Sequence, residues 1–321
     1  MKKSMKFSAF CVLIFSFSFL LIANPLASSS TKNESSEIRT IKPKKRANYN
    51  VRLQTDVSFY KLGNKELKLH LLIPDEHKSK PKPLIIFIKG SSWGKYKPQD
   101  SFAFIPQLVQ FAKSGYVVAS IEHRTSHEAK FPAQVQDVKA AVVFLKEKAS
   151  EYQINPDLVG VWGTSSGAHL AALVGTSCHV SEFEGSKHTS NYNSCVQAVV
   201  DWYGPTDFLQ MSKASKDYNA EDPESAESLL IGGPLLKNKD KVSKANPITY
   251  VSSETPPFLI MHGDRDKRVP FNQSQLLYEA LKKENVDVTL YKVKGGGHGG
   301  GFSTPEIIDI VHAFFDKHLK P

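Results

Sequence analysis

The chain has 321 residues, 40% of them hydrophobic and 23% charged, enough apolar material for one large α/β domain or two smaller ones. Its formal charge of +9 is gathered at the start: residues 1–48 hold nine of the 41 Lys and Arg and two of the 32 Asp and Glu, leaving 32 basic against 30 acidic groups in the rest. So nearly neutral a body gives no case for a nucleic-acid partner.

Lys2, Lys3 and Lys6 form a positive start, Phe7–Ile22 is a mostly apolar run, and small residues return through Ala27 to Ser30. Residues 1–27 therefore read as a signal peptide, cleaved between Ala27 and Ser30. This predicts a secreted or extracytoplasmic protein with no stable membrane insertion of the mature chain. A retained anchor is the alternative, for which the apolar run is short. Residues 28–48, rich in Ser, Lys and Glu without an apolar period, read as a disordered basic linker. The folded domain is expected over 49–321. Asn33-Glu34-Ser35 and Asn272-Gln273-Ser274 match the N-glycosylation pattern at chance level.

Val51–Tyr60 and Glu66–Ile73 predict two strands; in the second, Leu67, Leu69 and Leu71 alternate with Lys68 and His70. Leu84–Ile88 is a continuous apolar run suited to a central strand buried on both faces. It breaks at Lys89-Gly90-Ser91-Ser92-Trp93-Gly94, whose small residues can expose backbone N–H groups. Asp100–Ser114 contains a helix that Pro106 either delays or kinks. Val117–Ile121 is another strand, and Pro132 opens a helix to about Tyr152 with Val135, Val138, Val142 and Leu145 on its buried face. Asn155-Pro156-Asp157 reads as a turn.

Val159, Val161 and Trp162 then lead into Gly163-Thr164-Ser165-Ser166-Gly167, followed by an Ala/Leu-rich helical segment. A G-x-S-x-G sequence between strand and helix holds a serine at a crowded turn, with glycines where Cβ atoms would clash and the oxygen near a helix N-terminus. Cys178 and Cys195 are a candidate disulfide; two reduced thiols are the alternative. Val196–Trp202, Pro257–Met261 and Val286–Val293 are further strands, and Ile307–Leu319 a final amphipathic helix. Leu209–Lys244 interrupts the alternation as a small lid or insert. Alternating strands and helices predict a mostly parallel sheet with helices on both faces and a site at the carboxyl ends of its strands.

Ser165 needs a base, because a serine hydroxyl is a weak nucleophile at neutral pH. His298, within Gly295–Gly301, follows a strand and is flanked by six glycines. Asp264 and Asp266 are the candidate acids, and Asp266 is preferred. The order Ser165, Asp266, His298 is that of an α/β-hydrolase triad, unlike the orders in chymotrypsin and subtilisin.

Five stretches carry a family resemblance: FIKGSSWGKYKP, EAKFPAQVQDVKAAVVFLKEKASEYQINPDLVGVWGTSSGAHLAALVG, VVDWYGPTDF, PPFLIMHGDRDKRVPF and VKGGGHGGGF. Together they resemble α/β-hydrolase esterases related to bifunctional feruloyl and acetyl-xylan esterases, over nearly everything from about Asn50 onward. The resemblance implies the α/β-hydrolase fold and carboxylic-ester hydrolysis without a metal or organic cofactor. It supports Asp266 as the acid of an H-G-x-x-D-x-x-V-P pattern. It also implies a substrate partner that is an acylated polysaccharide or its fragments. The family's H-G-G-G-W loop stands here as Lys89-Gly90-Ser91-Ser92-Trp93. The N–H groups of Ser91, Ser92 and Ser166 are the expected oxyanion donors, provided neither loop serine needs a glycine-only conformation. Trp93, Trp202 and Tyr203 are candidates for the acyl or sugar pocket, or else core aromatics. Two other functions remain open: a prolyl-peptidase-like serine peptidase and a non-catalytic polysaccharide-binding protein.

Overall fold

The strands of the sheet are β1 (Asn50–Leu62), β2 (Lys65–Asp75), β3 (Lys82–Ile88), β4 (Val117–Ile121), β5 (Ile154–Thr164), β6 (Ala198–Trp202), β7 (Phe258–Gly263) and β8 (Val288–Val293). They lie in a computed structural model that describes residues 47–75, 80–94, 104–185, 190–214 and 217–320. The expected signal peptide, the linker up to residue 46, the sequon at Asn33 and residues 100–103 of the first expected helix lie outside the described residues. The strand order is β1-β2-β4-β3-β5-β6-β7-β8. β2 pairs antiparallel with β1 and β4, and the remaining pairs are parallel.

The helices are α1 (Ile105–Lys113), α2 (Ala133–Glu147), α3 (Ala149–Tyr152), α4 (Ser166–Thr176), α5 (Phe208–Ala214), α6 (Ala226–Ile231), α7 (Lys239–Ala245), α8 (Asn272–Lys283) and α9 (Pro305–Leu319). Side chains of a strand alternate between faces, so one apolar run feeds two cores. Leu84, Ile86 and Ile88 of β3 join Val135, Val138 and Val142 of α2 and Leu170 and Leu173 of α4. Ile85 and Phe87 join Phe111 of α1 and Val311 and Phe315 of α9 on the opposite face. Both faces are thus covered, as a parallel sheet requires.

Two local expectations are corrected. Asn155, Pro156 and Asp157 are not a turn but lie within β5, where the pairing to β3 shifts register between Lys82 and Leu84. The helix expected from Pro132 to about Tyr152 is two helices joined at Lys148. A helix was not expected over Asn272–Lys283; its buried face mixes Leu277 and Leu281 with Gln273 and Ser274, which blurs the apolar period. Pro106 delays α1, sitting in its first turn.

The insert between β6 and β7 holds α5, α6 and α7 and packs toward α4 and α8. Cys178 and Cys195 are joined as a disulfide with Cα atoms 4.9 Å apart, closing the loop between α4 and β6. Among the described residues no helix is long and apolar enough to cross a membrane.

Candidate active site

β5 ends at Thr164 and α4 begins at Ser166, leaving Ser165 between them at φ 52° and ψ −125°. Few non-glycine residues adopt that conformation, and it persists only where the surroundings impose it. Here the Ser165 N–H donates to the Trp202 carbonyl at 2.9 Å, and the Ser165 carbonyl accepts from the His169 N–H at 3.0 Å. A Cβ on Gly163 would lie 2.2 Å from the Gly167 carbonyl oxygen, and one on Gly167 would lie 2.1 Å from that of Ile88. Only glycines fit on either side of this serine.

His298 Nε2 stands 2.9 Å from Ser165 Oγ, and His298 Nδ1 stands 2.7 Å from Asp266 Oδ2. The other carboxylate oxygen of Asp266 accepts the N–H groups of Arg268 at 2.8 Å and Val269 at 2.9 Å. Burial alone would raise the Asp266 pKa, but hydrogen bonds from His262 and His298, the charge of His298 and the Val269 N–H outweigh it and hold the carboxyl well below its ordinary range. An ionised Asp266 fixes the proton on His298 Nδ1 and leaves Nε2 to accept from the serine hydroxyl. The Asp266 side chain has 0% exposure and that of His298 27%, so the acid is sealed while the base faces the pocket. Asp264 points elsewhere: its carboxylate accepts the Gly295 N–H at 2.7 Å and helps shape the glycine loop.

His262 stands behind the acid. Its Nε2 lies 2.8 Å from the Val269 carbonyl and 3.4 Å from Asp266 Oδ2, and its Nδ1 lies 2.6 Å from Ser274 Oγ. Neither His262 nor Ser274 was assigned a role from sequence, although His262 opens the H-G-x-x-D pattern.

The loop after β3 is clamped to the elbow. The Gly90 N–H donates to Thr164 Oγ1 at 2.8 Å, and the Ser91 N–H donates to Ser166 Oγ at 2.9 Å. The side chains flanking Ser165 therefore grip two successive loop amides. A Cβ on Gly90 would lie 2.5 Å from the Thr164 carbonyl, so the one glycine kept in this loop is the one that cannot be replaced. This corrects the expectation for Ser91, whose N–H is committed to Ser166. The N–H groups of Ser92 and Ser166 have no acceptor among the described residues. Ser92 and Trp93 adopt φ of 54° and 52°, left-handed values that non-glycine residues tolerate under constraint.

A cavity of about 410 Å³ opens beside Ser165, lined among others by Lys89, Ser92, Phe104, Tyr203, Arg268 and His298. Its size suits a small-molecule moiety. Tyr203 lines it as expected, its ring 4.9 Å from the His298 ring. Trp93 and Trp202 do not, and the pocket role expected for them is corrected. Both are 1% exposed. Trp93 packs edge-on against His169 and Phe208, and Trp202 against Trp162 and Phe302, on opposite faces of the sheet. Trp93 Nε1–H donates to His169 Nδ1 at 3.2 Å, and His169 Nε2 reaches the Ala245 carbonyl at 2.7 Å. Burial pushes the His169 pKa down to about 4. Burial pushes the carboxyl of Asp201 in β6 up to about 6, opposed by the Gly204 N–H and the nearby His262. Among the described residues no group of three or more His, Cys, Asp and Glu could hold a metal ion.

An elbow serine and a histidine–aspartate pair, all at the carboxyl ends of strands in a mostly parallel eight-stranded sheet, define the α/β-hydrolase class. Within that class the chain belongs to the BD-FAE family, whose model matches residues 69–281. A truncated form of a carbohydrate esterase from gut microbiota superposes with a TM-score of 0.77 and 33% identity, covering 86% of this chain and 100% of that one. A bifunctional GH43-CE protein of Bacteroides eggerthii does so with a TM-score of 0.72 and 32% identity over 83% of this chain and 38% of its own. Esterase LipQ of Mycobacterium tuberculosis is 29% identical over 228 residues, 70% of this chain and 52% of LipQ. The chain spans about half the length of the curated esterases it matches first. Its kinship is with carboxylic ester hydrolases.

Proposed function

We propose that this protein is a secreted serine carboxylesterase that removes acetyl or feruloyl groups from plant polysaccharide through an acyl-enzyme. The observation that carries the chemistry is the unbroken relay from Ser165 through His298 to Asp266, with its serine in the cavity. The carbohydrate substrate is supported by similarity to the carbohydrate esterase at 33% identity. Secretion is supported by the charged, then apolar, then small-residue order of residues 1–27.

Ser165 Oγ attacks the ester carbonyl as its proton passes to His298 Nε2. Negative charge on the carbonyl oxygen is held by the N–H groups of Ser92 and Ser166, the latter at the N-terminus of α4. Asp266 stabilises the imidazolium and keeps its ring in place. The alcohol leaves with the proton from Nε2. Water then attacks the acyl-enzyme, gives its proton to Nε2, and the acid departs as the proton returns to Ser165. An intact relay is not what a purely binding protein requires.

Initial rates on p-nitrophenyl acetate, methyl ferulate and acetylated xylan, with Ser165→Ala as control, test the proposal. Turnover that the substitution abolishes is expected, and the ranking of the three assigns the acyl group. Rates equal in both proteins would overturn it. Cleavage of an aminoacyl-proline amide in preference to the esters would replace it with a peptidase.

A further inference from the structure

The cavity beside Ser165 is lined by two cations, Lys89 and Arg268, and by no Asp or Glu among the described residues. Lys89 stands where the resembling family carries histidine, and Arg268 occupies an unspecified position of H-G-x-x-D-x-x-V-P. Arg268 is held by two contacts, neither of them an ion pair. Its Nη2 donates to Ser92 Oγ at 3.2 Å, and its guanidinium carbon lies 4.6 Å from the centre of the Tyr218 ring. No carboxylate lies within ion-pair distance of it among the described residues. The acids nearby are engaged elsewhere. Asp266 receives the Arg268 backbone N–H and directs its other oxygen to His298. Glu227 accepts the Tyr218 hydroxyl at 2.6 Å and feels the Arg268 charge only at longer range.

A guanidinium presents five N–H donors in a rigid fork that matches a carboxylate. One of those donors is used by Ser92. A half-buried arginine held on an aromatic face and turned to the pocket of the reacting serine is a preorganised anion receptor.

We infer that Arg268 forms a carboxylate subsite in this pocket, so that preferred esters carry a carboxylate close to the scissile bond. That carboxylate belongs either to the alcohol side, as in an acylated uronic acid, or to the acyl side, as in a dicarboxylic half-ester. The inference rests on the esterase reading above and names the substrate class of that same site.

Two matched pairs separate the sources: acetylated galacturonic acid against its methyl ester, and p-nitrophenyl hemisuccinate against p-nitrophenyl butyrate. The expected result is a kcat/KM ratio of charged to neutral ester about tenfold higher in the wild type than in Arg268→Gln, in one pair or both. Arg268→Lys should restore part of that ratio, and high salt should shrink it in the wild type. A ratio that Arg268→Gln leaves unchanged in both pairs overturns the subsite. A binding arm works without turnover: on the Ser165→Ala chain, calorimetry compares galacturonate with methyl galactoside, and succinate with butyrate. Carboxylate binding that the added Arg268→Gln weakens about tenfold supports the subsite even if the wild type cleaves no ester, in which case the esterase reading alone fails. Equal binding with glutamine at 268 overturns the subsite while leaving esterase activity to stand.

Discussion

On one side of the Ser165 pocket, each contact is short and enclosed. Gly90 and Ser91 amides are gripped by Thr164 and Ser166, Asp266 has no exposed side-chain surface, and the elbow glycines have no room for a Cβ. On the other side, Lys89, Ser92, Phe104 and Arg268 are all half-buried. There the guanidinium is held by one hydrogen bond and one ring face. On the enclosed side Gly90, Gly163 and Gly167 admit no Cβ without a shift of backbone. The open side admits a change of charge or size while the relay stands. Chemistry and selectivity are therefore separable in this protein, and substitutions on the two sides should behave differently.

The enclosed side predicts the largest loss. Ser165→Ala should lower kcat/KM by about 10⁵-fold with an unchanged melting temperature, read by ester hydrolysis and thermal unfolding. Asp266→Asn should follow at about 10⁴-fold, because an amide leaves the imidazole in the wrong tautomer. Asp264→Asn should change kcat/KM by less than about tenfold, since its carboxylate meets the glycine loop and not His298. The opposite ranking would reassign the acid.

Stability against pH tests the enclosed side from beneath. His169 has its pKa lowered from 6.5 to about 4, so its contribution is full above about pH 6.5 and is lost as pH falls toward 4. Asp201, raised from 3.8 to about 6, acts in the opposite sense: its contribution is full below about pH 3.8 and is lost as pH rises through 6. The two oppose each other between about pH 4 and 6. Asp201→Asn removes one of them, so urea unfolding should show that variant losing up to about 3 kcal/mol more than the wild type on acidification across this window. Parallel curves would mean that Asp201 keeps an ordinary pKa.

The smallest effects sharpen the comparison most. Thr164→Val frees the Gly90 amide beside the nucleophile and should cost about tenfold in kcat with little change in KM. Ser92→Ala removes only the hydroxyl that meets Arg268. It should change kcat on a neutral ester by about twofold or less, since the Ser92 N–H is retained. Equal losses from the two would erase the distinction between the sides.

Much of this was readable from residue order alone. The apolar run at Leu84–Ile88 suits a strand buried on both faces, Val117–Ile121 reads as another strand, and the elbow glycines mark a turn with no room for side chains. Ser165, Asp266 and His298 each had a local sequence signal, and the structure brings them within hydrogen-bonding distance. What stayed hidden depends on direction in space. Trp93 and Trp202 resemble pocket aromatics by type, but strand alternation turns Trp202 into one core, and the left-handed turn at Ser92 and Trp93 puts Trp93 in the other. Helix α8 buries Gln273, whose side-chain oxygen accepts the Thr206 and Asp207 N–H groups, so a polar residue sits where periodicity asks for an apolar one. Thr164 and Ser166 look like the variable letters of G-x-S-x-G. Their grip on the next loop exists only once β3 and β5 lie side by side. Arg268 stands in a run of charges that carries no pocket signal, and only the fold turns it to the pocket.

The bridge from Trp93 through His169 to Ala245 bears on how this scaffold can be re-engineered. It ties the oxyanion loop to the elbow helix and, through Ala245, to the last turn of α7 in the insert. The insert is thus not an interchangeable accessory. A graft that displaces the Ala245 carbonyl strands a buried imidazole N–H, a penalty of about 1–3 kcal/mol, and loosens the ring that props the loop beside the nucleophile. Loop-swapping libraries built on this chain should hold the Ala245 carbonyl and the Phe208 ring fixed and vary α6 and the rest of α5, leaving the anchor of the catalytic loop untouched.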